Sequence, residues 1–208
     1  MLDIPPPSTM IWGSSRLMTD ASARDRRSTY RSSVAVAPAS PYAATKRMNE
    51  LQLSTYRDLF GLGVSALRFF TVFGPRQRPD MAIMKFLDAI AAGQTITLFG
   101  DGSSRRDYTF VDDIVSGVVA AIERVVPGQY ELYNLGGTQT ISLRELVTVI
   151  ERVVGTAARI NWQPDQPGDV PITFANIDRA RAALGYQPTT GVEAGIARQW
   201  AWRQATPG

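Results

Sequence analysis

Tyr42 and Lys46 stand four residues apart in Tyr42-Ala43-Ala44-Thr45-Lys46. On a helix, that spacing puts both side chains on one face. A phenol ionises near pH ~10 and is a weak base at neutrality. An ammonium one turn away favours the phenolate. Such a pair can pass a proton to or from a hydroxyl while a hydride moves. The plainer alternative is a surface Tyr beside an unrelated surface Lys. The chain has no His and no Cys. That removes imidazole bases, Ser-His-Asp triads, thiol nucleophiles, disulfides and Cys-ligated zinc. Acid–base chemistry falls to Asp, Glu, Tyr or Lys.

Three further stretches carry donors and acceptors. In Arg68-Phe69-Phe70-Thr71-Val72-Phe73-Gly74-Pro75-Arg76-Gln77-Arg78-Pro79-Asp80 a strand runs into a loop. Ligands of open α/β sheets bind beyond the carboxyl ends of strands. Thr71 could donate there to a sugar oxygen, and Arg78 could pair with a phosphate or carboxylate. Thr97-Leu98-Phe99-Gly100-Asp101-Gly102 offers a strand edge and a ring for a base, and Arg106 downstream could clamp a diphosphate. Asp169, in Gln166-Pro167-Gly168-Asp169, could accept from ribose hydroxyls. Each stretch could equally be an ordinary polar loop or β-turn.

The elements that must hold these residues follow from local signals. Ser40-Pro41 is an N-cap followed by Pro at the first helical position, and predicts a helix to about Phe60, stopped by Gly61 and Gly63. A buried strand is expected over 64–69, a loop over 71–80, a helix over 82–92 and a short strand over 95–99. Then follow a strand over 107–111, a helix capped by Asp112 or Asp113 and running to about Val126, and a strand over 130–135. Ser142-Leu143-Arg144-Glu145 is a capping box, with its helix running to Val154. A strand over 159–162, a Pro/Gly loop and two helices, 177–184 and 192–202, complete the chain. Alternating strands and helices argue for an α/β fold. Residues 1–39 sustain neither helical nor strand periodicity, and are expected to be divergent and poorly ordered, with a short strand near Val34–Val36.

The chain has 208 residues, 44% hydrophobic and 20% charged, which suits a packed domain. Of its 22 basic residues only Lys46 and Lys85 are lysines. The arginines are scattered and balanced by 19 acids, unlike the basic stripe of a nucleic-acid binder. No apolar run approaches the roughly 20 residues of a membrane span. Residues 1–10 lack a basic n-region, so the cytoplasm is the expected compartment.

Taken together, Ser40-Pro41-Tyr42 with Lys46, Leu67 to Pro75, Gly100-Asp101-Gly102, Arg106-Asp107-Tyr108, Val111-Asp112-Asp113 and Asn134-Leu135-Gly136 resemble the extended short-chain dehydrogenase/reductase family. These are NAD-dependent nucleotide-sugar epimerases and dehydratases. The resemblance covers roughly residues 40–203. Arg76 to Ala82 and Gln166 to Pro171 are most similar to the UDP-glucuronate 4-epimerase branch. The resemblance implies the C-terminal part of a doubly wound Rossmann-type sheet plus a small α/β substrate lobe, mainly 76–106 and 141–208. It implies hydride removal from carbon 4 of UDP-glucuronate to NAD, followed by hydride return to the opposite face. By position, Tyr42 is the base and Lys46 tunes it and holds the nicotinamide ribose, while Phe69, Phe70 and Val72 lie beside the cofactor. Thr71 lies at the sugar carboxylate, Thr97 and Phe99 border the uracil, Arg78, Arg106 and Tyr108 lie by the diphosphate, and Asp169 by the uridine ribose. The helix at 41–60 belongs, by the same resemblance, to a dimer-forming bundle. Its Met48, Leu51 and Leu59 suit a monomer core equally well. The family's GxxGxxG turn, which cradles the NAD pyrophosphate, occurs nowhere in this sequence. The expectation is therefore an N-terminally truncated epimerase of weak or no activity. A dehydratase or decarboxylase of the same family, or a non-catalytic UDP-sugar-binding fragment, are the alternatives. The family's Ser/Thr partner has Ser14 and Ser15 as nearest counterparts, in a stretch without a strand pattern, and the role is not carried onto them.

Overall fold

The computed structural model describes residues 10–15, 41–165 and 171–206. In chain order its first elements are β1 (Met10–Ser15), α1 (Pro41–Phe60), β2 (Val64–Phe69), β3 (Thr71–Phe73), α2 (Ala82–Ala91), β4 (Thr95–Phe99) and β5 (Arg105–Phe110). There follow α3 (Val111–Glu123), β6 (Tyr130–Leu135), β7 (Thr140–Ser142), α4 (Leu143–Val154), β8 (Arg159–Gln163), α5 (Asp178–Leu184) and α6 (Val192–Ala205). This is a mixed α/β fold with parallel sheets. No helix of the described residues is long and apolar enough to cross a membrane.

The main sheet has the order β1-β2-β6, all parallel. Side chains alternate across a strand, so β2 feeds two layers at once. Val64 and Ala66 pack with Leu53 of α1. Leu67, with Tyr133 and Leu135 of β6, packs on the other face against Ile114 of α3 and Ala180 of α5. A strand buried on both faces reads as a nearly continuous apolar run, which is how 64–69 stands in the sequence.

A second set of strands carries the groove. β3 runs parallel to β5, β5 antiparallel to β7, and β4 parallel to β8. Ile96 and Leu98 of β4 turn inward, onto a core shared with Phe73, Leu87, Ile150 and Ile196. By alternation Thr95, Thr97 and Phe99 turn outward. The predicted capping box is present: Glu145 N donates to Ser142 Oγ at 3.1 Å, and Ser142 N donates to Glu145 Oε2 at 2.6 Å.

Several boundaries differ from the sequence expectation. The 71–80 loop begins with a strand, because β-branched Thr71 and Val72 find partners in Tyr108 and Thr109 before Gly74-Pro75 ends the pairing. Neither Asp112 nor Asp113 caps α3. Both lie inside it, and Asp113 accepts from Thr189 N at 3.2 Å and Thr190 N at 3.0 Å, anchoring the segment before α6. β7 was absent from the pattern, being a three-residue strand held by tertiary pairing. Within the segment expected to lack pattern, Met10 to Ser15 form β1, in register with Val64 to Phe69. The short strand expected at Val34–Val36 lies outside the described residues.

Candidate active site

Tyr42 sits in the opening turn of α1 with 45% of its surface exposed. Lys46, one turn on, holds its Nζ 5.2 Å from the centroid of the Tyr42 ring. The spacing thus brings the two together as expected. What fixes this helix to the sheet is Glu50, a carboxylate with 1% exposure. It accepts from Arg68 Nε at 2.7 Å and Nη2 at 2.8 Å, and from Arg47 Nη1 at 2.6 Å. Arg68 stands on β2, so the fork joins α1 to the strand beneath it. Bidentate guanidinium–carboxylate pairs are directional as well as strong.

β1 and β2 end together at the carboxyl edge of the main sheet. Ser14 stands opposite Arg68 and Ser15 opposite Phe69 at the ends of β1 and β2. These serines are hydroxyl-bearing residues on a strand end, where ligands of open α/β sheets bind. Sequence reading set them aside for want of a strand pattern. The available signal was the apolar run Met10-Ile11-Trp12 running into Gly13-Ser14-Ser15, which is buried-strand composition without alternation. Of the residues expected beside a cofactor, Phe69 and Val72 are half-buried against the core under α3. Phe70 is 8% exposed and belongs to that core, and its N–H donates to the Leu135 carbonyl at 3.3 Å. The paired phenol and ammonium of Tyr42 and Lys46 are the kind of donors that a nicotinamide ribose would need. A Gly-rich turn for the pyrophosphate has no counterpart among the described residues.

A groove of about 360 Å³ opens between β3, β4, β5 and α2. Thr71 and Tyr108 enter it from neighbouring strands, in register with each other. Thr97 and Phe99 enter from the outward face of β4, and Gln77, Asp80 and Lys85 close the side nearest α2. Thr71, Thr97, Phe99 and Tyr108 are therefore brought together, as expected for a substrate site. Arg78 and Arg106 are not among the lining residues. Arg78 makes a fork with Asp80 at 2.9 and 2.5 Å on the exposed rim. That hydrogen bond holds the Asp80 carboxyl below its usual range. Arg106 donates to the Arg105 carbonyl at 2.9 Å. Asp169 lies outside the described residues.

Two features beside the groove were not legible beforehand. The 74–77 turn closes with Gln77 N donating to the Gly74 carbonyl at 3.1 Å. It holds Arg76 at φ 65°, the one positive-φ residue other than glycine among the described residues. A side chain there costs about 1 kcal/mol, and Pro75 at the preceding corner is what such a turn favours. Asp107, between Arg106 and Tyr108, is fully buried. It accepts from Gly137 N at 2.7 Å, Ala175 N at 3.1 Å and Thr109 Oγ1 at 3.0 Å. Burial pushes its carboxyl above the ordinary value despite these donors. It ties β5 to the loop after β6 and to the segment before α5.

The model of the NAD dependent epimerase/dehydratase family matches residues 5–136. The chain is 40% identical over 166 residues to a UDP-glucuronate 4-epimerase of Thermodesulfobacterium geofontis, covering 79% of this chain and 50% of that one. The solved UDP-glucuronic acid 4-epimerase of Bacillus cereus, in complex with UDP-glucuronic acid and NAD, is similar with a TM-score of 0.77 and 30% identity. That match covers 93% of this chain and 62% of that chain. A Thermus thermophilus UDP-glucose 4-epimerase in complex with NAD is similar with a TM-score of 0.78 and 26% identity, covering 94% and 64%. The chain spans about half the length of the curated relatives it matches.

Proposed function

Because the chain belongs to the NAD-dependent epimerase/dehydratase family, we propose that its groove binds a UDP-hexuronate and that it serves 4-epimerisation between UDP-glucuronate and UDP-galacturonate. The observation that carries this reading is the convergence of Thr71, Thr97, Phe99 and Tyr108 on one groove. In this reading Phe99 and Thr97 border the uracil, and Tyr108 lies towards the diphosphate with Arg78 and Arg106 on the rim. Asp169 serves the uridine ribose, and Thr71 faces the sugar carboxylate. Tyr42 takes the proton of the 4-hydroxyl as carbon 4 is oxidised to the ketone. It returns that proton when carbon 4 is reduced from the other face. Lys46 keeps a positive charge beside the phenolate. When bound, NAD supplies reversible hydride acceptance. Tyr42, Lys46 and the backbone around Phe69, Phe70 and Val72 hold its nicotinamide end.

A second reading, sugar-nucleotide binding without turnover, is favoured by the lack of any GxxGxxG spacing in the sequence. Met48, Leu51 and Leu59 form an exposed apolar face on α1, which in this proposal meets the same face of a second copy. Sedimentation velocity of L51K/L59K tests that point: a dimer that persists in this variant removes it. The activity is tested by incubating the chain with NAD and UDP-glucuronate and separating the sugar nucleotides. UDP-galacturonate from the wild type and none from Y42F supports epimerisation. Binding without product selects the second reading, and an absence of both removes each.

A further inference from the structure

α6 carries one residue that its surroundings do not explain. Gln199 is fully buried, one turn from Ile196 and beside the core of Phe73, Leu87 and Phe110. An apolar side chain of the same size fits such a place better, since a buried amide loses its water. Its Nε2 donates to Gln77 Oε1 at 3.0 Å, and Gln77 Nε2 donates to the Val72 carbonyl at 2.9 Å. The direction of this chain is fixed by chemistry. A backbone carbonyl only accepts, so the nitrogen of Gln77 must face Val72. The oxygen of Gln77 then needs a donor, so the nitrogen of Gln199 must face it. The oxygen of Gln199 is left buried without a donor among the described residues. A second cost falls on the same loop, where Arg76 is held at φ 65° directly before Gln77. Strain of this kind persists where the surroundings over-determine it, commonly beside a ligand.

Both costs have one common result. Gln77 lines the groove, with its oxygen turned to Gln199 and its nitrogen held at Val72, next to Thr71. A carboxamide nitrogen carries two hydrogens, and Val72 takes one. We infer that Gln77 presents its second N–H to the carboxylate of the bound hexuronate, and that buried Gln199 is the positioning residue that keeps this end of the amide in the groove. The inference rests on the UDP-hexuronate reading above. It adds a specificity determinant to that reading. The neighbouring acid, Asp80, is engaged by Arg78, and Lys85 lines the same wall. An incoming carboxylate therefore meets a donor and a cation, and no free anion among these three.

The test is a binding cycle on the whole chain, with UDP-glucuronate, UDP-glucose and UDP as ligands and calorimetry as the readout. The variants are Q199M, Q77M and Q77M/Q199M, which preserve side-chain length. Q199M removes the buried unpaired oxygen of Gln199 but also takes the donor from the half-buried oxygen of Gln77, so its melting temperature is expected to stay within a few degrees of the wild type. Its Kd for UDP-glucuronate is expected to rise about ten- to a hundredfold, the loss of one hydrogen bond to a charged group. Its Kd for UDP-glucose and UDP should move less than twofold. In the Q77M background, adding Q199M should change the UDP-glucuronate Kd less than twofold, because Gln199 acts only through Gln77. A merely structural glutamine would lower the melting temperature and weaken all three ligands alike. Unchanged UDP-glucuronate affinity in Q199M, with the wild type binding, overturns the inference and leaves the reading of the groove intact. If the wild type binds neither sugar nucleotide, that reading fails, and the side-chain amide resonances decide the orientation. The Gln77 amide protons, assigned by their loss in Q77M, should exchange slowly in the wild type and at least tenfold faster in Q199M. Equal exchange overturns the positioning role.

Discussion

Removing Glu50 tests how the catalytic helix is held. The Glu50 carboxylate is buried and takes three charge-assisted hydrogen bonds, two from Arg68 and one from Arg47. Truncating one member of a buried ion pair costs about 3–5 kcal/mol when the abandoned charge stays buried. Here the abandoned charges have an outlet, since the Arg68 and Arg47 side chains are 28% and 21% exposed. Partial rehydration brings the expected loss for E50A to about 2–3 kcal/mol. At roughly 2–4 °C per kcal/mol for a chain of this size, its melting temperature falls by about 4–12 °C. R47A keeps the Arg68 fork and should lose less than about 1 kcal/mol. Urea unfolding followed by circular dichroism gives both values. Amide exchange should rise more in α1 than in α2, because the fork joins α1 to β2 and touches nothing in the groove lobe. An E50A loss under about 0.5 kcal/mol, within the range of ordinary surface changes, would refute the reasoning. So would an R47A loss equal to that of E50A.

Two further perturbations read other joints of the fold. S142A removes the side-chain half of the α4 capping box and should cost about 1 kcal/mol in urea unfolding; a loss confined to a few tenths would show that the box is decorative. Asp107 has its carboxyl raised by burial, so the native state holds this proton more tightly than the unfolded chain. Its contribution to stability is complete below the unfolded value of about 3.9. It is lost as pH rises through the raised native value. Stability measured against pH should therefore carry a falling component above about pH 4 in the wild type that is missing in D107N, and identical pH slopes would remove this account of Asp107.

The sequence was most informative where a local rule and the tertiary fold agree. The α1 start at Pro41, the double-faced β2 and the Ser142–Glu145 box all follow from short-range chemistry. Thr97 and Phe99 share the outward face of β4 because the strand alternates, with Ile96 and Leu98 turned inward. What stayed hidden depends on pairing between distant segments. β1 lacks periodicity because a strand in a parallel sheet needs none, and its register comes from Val64 to Phe69. β3 and β7 are three residues each, too short for any pattern, and exist because β5 lies between them. Arg78 and Arg106 read as anion clamps by type, but their present partners, Asp80 and the Arg105 carbonyl, follow from the fold. Gln77, Gln199 and Asp107 were unremarkable letters. Their importance lies in burial and in partners, as with Asp107 and Ala175, which no spacing rule connects.

The most direct test of the central claim is the melting temperature of the chain with saturating UDP-glucuronate, beside F99A under the same conditions. A ligand that binds the folded state alone stabilises it by about 2.7 kcal/mol at a hundredfold excess over its Kd. The wild type should then melt about 5–10 °C higher, glucuronate without the nucleotide should have no effect, and F99A should lose most of the shift. An unchanged melting temperature in the wild type, or an equal shift in F99A, would contradict the assignment of this groove to a UDP-sugar.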